Sequence, residues 1–126
     1  MATLLLFLSL VFAQPAVTAS DAWATESAMD RPVAEAYLSI NNPTMYDIYV
    51  VKATSDVAGK IEFRNGAKAL KEITVPAYGS IELAPNGTVL SLLDLKKPLR
   101  LGDTVELVLT TDGGIDLTLS AIVRKP

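Results

Sequence analysis

A chain that binds a metal, moves a proton or attacks a carbonyl needs donors of particular kinds, and this one lacks most of them. Its 126 residues contain no histidine and no cysteine, so Ser-His-Asp and Cys-His nucleophilic arrangements are impossible and every imidazole or thiolate metal site is excluded. No glycine-rich loop able to cradle a phosphate is present. Asp94, Asp103, Asp112 and Asp116 lack the spacing of a calcium loop and fall mostly in turns, where aspartate bonds to its own backbone. Beyond the initiator, the soft donors reduce to Met29 and Met45. They lie in separate loops and read as surface or packing residues. The composition predicts a protein that is not an enzyme and carries no cofactor.

The elements that position the remaining side chains centre on residues 73–111, read as three strands separated by explicit turn chemistry. Val75-Pro76-Ala77-Tyr78-Gly79, Pro85-Asn86-Gly87 and Pro98 with Gly102-Asp103 are the breaks. Between them the pattern has period two: Ile81 and Leu83 alternate with Ser80, Glu82 and Ala84, and Val105, Leu107 and Leu109 alternate with Thr104, Glu106 and Thr110. Residues 89–95 are apolar at nearly every position, which predicts a buried strand at the centre of the fold, with Leu93 and Leu95 in the core.

Upstream, Trp23 is expected to clamp a first strand to the core. Residues 33–41 and 46–52 read as a hairpin-like pair across Asn41-Asn42-Pro43-Thr44, with Ala34, Ala36, Leu38 and Ile40 on one face. A strand over 57–64 is closed by Asn65-Gly66, a two-residue hairpin signal, and residues 67–72 form the returning arm. Thr111-Asp112-Gly113-Gly114 turns the chain into a last strand, where Ile115, Leu117, Leu119, Ala121 and Val123 share the core face. Eight or nine short strands without a long helix predict an all-β sandwich or Greek-key barrel.

Residues 4–13 form an apolar run too short to span a bilayer, followed by Gln14-Pro15 and the small-residue site Val17-Thr18-Ala19. The expectation is a signal peptide over residues 1–19, a single domain over 20–126, and a periplasmic or secreted location. The absence of cysteine also excludes disulfides and lipoprotein acylation within this sequence. Net charge is −3, and the eleven basic residues are scattered apart from Lys96-Lys97 and Arg124-Lys125. That balance argues against a nucleic-acid partner and against an anionic membrane surface.

The wording of several segments is more specific than their pattern. The run VPAYGSIELAPNGT, followed by Leu95-Lys96-Lys97-Pro98-Leu99-Arg100-Leu101-Gly102-Asp103, resembles the periplasmic copper chaperone PCu(A)C family, with its VPAGG-type turn, PGG-type turn and Leu-Lys-x-Pro-Leu-x-x-Gly-Asp segment. Ala22-Trp23-Ala24, Ala36-Tyr37-Leu38 and Val57-Ala58-Gly59-Lys60-Ile61-Glu62 are similar to its opening strands. The resemblance covers essentially the whole mature chain and implies a cupredoxin-like fold.

It also implies a function: holding Cu(I) through imidazole and thioether ligands, which suit a soft ion, for delivery to respiratory copper sites. Carried over residue by residue, those ligands are missing. The family's first His position aligns with Arg64 and its His-x-Met with Val89-Leu90-Ser91. The arm after Asn65-Gly66 has no Met, and the connection from 64 to 89 is several residues shorter than in the family. Arginine has no lone pair to donate and repels a cation. The resulting expectation is an exported domain with a degenerate metal site, serving as a binding or accessory module for a protein or peptide in the periplasm. Arg64, Val89 and Ser91 would then converge at one end of the sandwich, where a guanidinium could bind a partner's carboxylate. Two alternatives stay open. Copper could still be handled weakly, through Met29 and Met45 or through ligands shared in an oligomer. Otherwise the chain is a structural sandwich that pairs with a protein through a strand edge.

Overall fold

Alternating apolar and polar residues produce ten strands in the computed structural model, which describes residues 16–28 and 30–126. They are β1 (Thr18–Ala24), β2 (Ala34–Asn42), β3 (Ile48–Ser55), β4 (Ala58–Asn65), β5 (Lys68–Leu70), β6 (Ile73–Val75), β7 (Gly79–Glu82), β8 (Thr88–Leu95), β9 (Thr104–Thr111) and β10 (Asp116–Val123). The hydrogen-bonded order is β5-β4-β8-β2-β1-β10-β9-β3-β6. The sheet curls into a nearly closed barrel-like wall. Its pairs are antiparallel except β1 with β10. Strand β2 divides one edge between two partners: Ala34, Ala36 and the residue between them pair with β8, and Ser39 to Asn42 pair with β7. The expected all-β class is therefore found. The count rises from eight or nine to ten because β5, β6 and β7 are strands of only three or four residues.

The interior is built as the period-two pattern requires. Val105, Leu107 and Leu109 of β9 are fully buried, while Thr104 and Glu106 face out. Ala34, Ala36, Leu38 and Ile40 of β2 and Leu90 and Leu92 of β8 join them in one cluster.

Several expectations need correction. Residues 33–41 and 46–52 do not pair, because both edges of β2 are already occupied, by β1 on one side and by β8 and β7 on the other. The fully buried Asn42 directs the chain elsewhere. Its Nδ2 donates to the carbonyls of Tyr46 (2.7 Å), Val75 (3.1 Å) and Pro76 (3.1 Å), and its Oδ1 accepts from the Thr44 N–H (3.0 Å). Strand β3 consequently lies between β9 and β6. Residues 73–111 hold four strands rather than three, since Ile73–Val75 pairs with β3.

Leu93 and Leu95 are half-buried rather than core. Leu93 shares the face of Ser91, away from the core, by strand alternation, and Asp94 sits at φ 53°, a left-handed conformation that aspartate tolerates better than most residues and that breaks the alternation before Leu95. Ile115 is 61% exposed because it still belongs to the turn, where its carbonyl accepts the Thr111 N–H at 2.9 Å. The turn after β4 is shifted by one residue: Asn65 pairs with Lys68, leaving Gly66-Ala67 as the two central residues, with Gly66 at φ 64°. Trp23 is partly buried, its ring 4.5 Å from that of Tyr37 and covered by the Arg124 guanidinium at 4.4 Å. The expected leader lies, for residues 1–15, outside the described residues. Its proposed boundary after Ala19 falls inside β1, where Thr18 and Ala19 pair with Asn41 and Ile40.

Candidate functional site

Three adjacent strands build the site. Strand β8 runs between β4 and β2, with Arg64 opposite Val89, and Ser91 flanked by Glu62 on one side and Glu35 on the other. Residues in register share a face of the sheet. Leu90 and Leu92 therefore point into the core, and Val89 and Ser91 point to the other face together with Arg64, Glu62 and Glu35. Ser91 is only 8% exposed, enclosed by its carboxylate-bearing neighbours.

The structure brings Arg64, Val89 and Ser91 together, as walls of one concavity of about 200 Å³ that Glu35, Gly66, Asn86 and Gly87 complete. Arg64 and Ser91 also border a larger neighbouring concavity of about 400 Å³, with Arg31, Glu26, Glu35 and Glu62. The guanidinium is engaged on both prongs. Nη1 donates to Glu62 Oε1 at 3.2 Å and Nη2 to the Ala67 carbonyl at 2.8 Å. Lys60 Nζ lies 3.4 Å from the other Glu62 oxygen. A charge-assisted fork of this kind pins the β4–β5 turn to its strand.

Glu35, Glu62 and Tyr37 were missed from sequence. Glu35 and Tyr37 were readable as one face of a strand, but the register that sets Ser91 between two glutamates is a cross-strand property that no local pattern encodes. Tyr37, on the face of β2 opposite Ala36 and Leu38, is only 2% exposed. Its hydroxyl donates to Glu35 Oε1 at 2.5 Å. Burial, and then the hydrogen bond to Glu35 and that residue's charge, push the phenol well above its ordinary range. The folded state then holds this proton more tightly than the unfolded chain. The stability linked to it is complete below the ordinary tyrosine pKa of 10.0 and declines as pH rises above that value. In a spectrophotometric titration, one of the four tyrosines should stay protonated where unfolded protein ionises fully. Tyr37→Phe should abolish that lagging phase; its persistence in the variant would show the assignment to be wrong.

Chemically, the site offers a hydroxyl, two carboxylates and a fixed cation. It presents no imidazole or sulfur. Met45 is 62% exposed and lies past the end of β2, whose last residue, Asn42, is itself roughly 23 Å along the strand from Glu35 at about 3.3 Å per residue. Met29 lies outside the described residues. Among the described residues no group of three or more His, Cys, Asp or Glu could hold a metal ion.

Residues 17–123 match the LpqE-like family, a family described as one of lipoproteins. A protein of Leifsonia xyli subsp. xyli (strain CTCB07) named as a lipoprotein, Lxx21020, is 29% identical over 107 residues, which is 78% of this chain and 63% of that protein. The chain thus spans less than two thirds of its relative's length. Among solved structures, the copper-bound PCuAC domain of PmoF2 superposes with a TM-score of 0.80 at 20% identity, covering 91% of this chain and 97% of that one. The solution structure of the Cu(I) form of DR1885 from Deinococcus radiodurans gives 0.71 at 29% identity, covering 90% and 82%. With the match extending over all ten strands, and with the cupredoxin-like PCuAC architecture reproduced, the chain belongs to the LpqE-like family, a PCuAC-like family.

Proposed function

We propose that the protein is an exported, non-enzymatic binding or accessory module on the PCuAC fold, in which the copper position has lost its ligands. The observation that carries this reading is the engagement of Arg64, whose guanidinium is tied to Glu62 and Ala67. The resemblance sets the PCuAC ligand pattern on Arg64, Val89 and Ser91, which share one face of β4 and β8. A fixed positive charge at that point opposes a metal ion, and the sequence supplies no histidine or cysteine to replace it. Export is supported by the lipoprotein name of the relative and by the apolar run at residues 4–13. Acylation is not carried over, because a thioether-linked lipid needs a cysteine and these residues have none.

The protein, titrated anaerobically with Cu(I) against a competing chelator, is expected to retain no copper at one-to-one stoichiometry. Tight retention of one ion per chain would refute the reading and favour its rival, shared or thioether-only copper handling, a rival supported by the likeness to the Cu(I) form of DR1885. Arg64, Val89 and Ser91 stay as proposed contact positions for a partner. A carboxylate arriving there competes with Glu62 for the guanidinium, so contact through Arg64 alone is expected to be weak.

A further inference from the structure

The segment Leu95-Lys96-Lys97-Pro98-Leu99-Arg100 has no task in the copper reading, yet it forms one wall of a groove of about 560 Å³. Ser27, Arg31 and Pro32 contribute to the facing wall. Three hydrogen bonds hold the two walls in place. The Ser27 N–H donates to the Leu99 carbonyl (3.2 Å), the Leu99 N–H to Ser27 Oγ (3.1 Å), and the Leu95 N–H to the Pro32 carbonyl (3.1 Å). The groove is therefore formed before any ligand arrives, and its volume is in the range that accepts side chains of a bound partner.

Its charge departs from that of the molecule. The chain has 11 basic and 14 acidic residues, but Arg31, Lys96, Lys97 and Arg100 line the groove against a single carboxylate, Asp30. All four cations are exposed. Among the described residues Lys96, Lys97 and Arg100 make no ion pair, and Arg31 reaches only Asp30, at 3.9 Å between largely exposed groups. The nearby Asp103 is used in its own turn, where Oδ2 accepts the Arg100 backbone N–H at 2.9 Å. Gathering like charges costs the fold repulsion that, within the groove lining, only Asp30 offsets. Beneath the cations, the half-buried Leu95 and the exposed Pro98 supply apolar surface.

We infer that this groove receives an acidic, extended segment of a protein partner, its carboxylates on Lys96, Lys97, Arg100 and Arg31 and an apolar side chain against Leu95 and Pro98. Charge complementarity selects the sign, and the concave form selects a peptide over a bilayer, which needs a flat or protruding apolar surface. A duplex nucleic acid would meet the acidic remainder of the chain. The inference goes beyond the proposed function and stands whether or not copper is bound.

The test is fluorescence anisotropy, in EDTA at low ionic strength, with a labelled peptide of alternating glutamate and leucine. The expected result is binding that salt weakens, with no binding of the glutamine-leucine counterpart. Lys96→Gln/Lys97→Gln/Arg100→Gln should weaken binding about tenfold, three exposed charge pairs being removed. Lys68→Gln/Lys71→Gln/Lys125→Gln, the same change of net charge elsewhere, should leave it unaltered. Lys97→Gln and Arg100→Gln singly should each weaken it about twofold, which keeps the test intact if the triple variant does not fold. Equal loss in the two triple variants, equal binding of the neutral peptide, or binding of phosphatidylglycerol vesicles without binding of the peptide would each overturn the inference. Copper retention by the wild type would overturn the proposed function and leave this result untouched.

Discussion

Replacing Leu92 with alanine is expected to lower the free energy of unfolding by about 2 to 5 kcal/mol, measured by urea denaturation. Leu92 is fully buried and sits on the inward face of β8, where its register partners are Ile61 of β4 and Ala34 of β2. A strand held by hydrogen bonds along both edges cannot shift to close the space left by a lost isobutyl group, so the cavity adds its own cost to the lost transfer energy. Leu93→Ala serves as the internal comparison. One residue on, with its side chain on the opposite face and half-buried, it is expected to lose less than about 1 kcal/mol. Equal losses at the two positions would mean that β8 does not have this register.

The second large effect is a gain. Arg64→His/Val89→His/Ser91→Met should create a Cu(I) site at least about a hundredfold tighter than any affinity of the wild type, since imidazole and thioether are the donors this ion prefers and the wild type lacks both at these positions. The geometry favours it. Residues 64 and 89 are directly opposed across the β4–β8 ladder, and residue 91 follows two positions on along the same face, so the three side chains leave one patch of backbone. Removing the guanidinium also deletes the fixed cation now hydrogen bonded to Glu62. Anaerobic competition with a Cu(I) chelator gives the measurement, and circular dichroism confirms the fold. A folded variant that holds copper no better than wild type would show that the PCuAC ligand geometry has not been kept, and that Arg64, Val89 and Ser91 are not the vacated positions.

The two predictions separate fold from site. The first depends only on packing, which the PCuAC likeness and the burial pattern both describe. The second depends on three side chains on the face of β4 and β8 opposite Leu90 and Leu92, of which Arg64 is half-buried while Val89 and Ser91 are buried, so their chemistry is set by their neighbours in the ladder as well as by packing.

What the sequence determined alone follows from local physics. Composition excluded imidazole and thiolate chemistry, because a donor that is absent from the chain cannot be supplied by folding. Period-two alternation identified the inward faces of β2 and β9, because successive side chains in a strand must point to opposite sides. Gly66 and Gly114 signalled turns because glycine takes positive φ without side-chain cost, as both do in the structure, although the Gly66 turn lies one residue further on than its sequence signal. Tertiary structure decided the rest. The chain after β2 crosses to β9 and β6 instead of folding back, because Asn42 ties it to Val75 and Pro76, more than thirty residues away. Leu93 follows Ser91 onto the face away from the core and Asp94 adopts a left-handed backbone before the half-buried Leu95, although the run 89–95 reads as evenly buried. Ser91 stands between Glu62 and Glu35, and Arg31 joins Lys96, Lys97 and Arg100 around one groove, only because strands and loops distant in sequence meet in a particular register. Register is set by the sum of pairings across the sheet, so a side chain's neighbours on the next strand cannot be read from its neighbours in the chain.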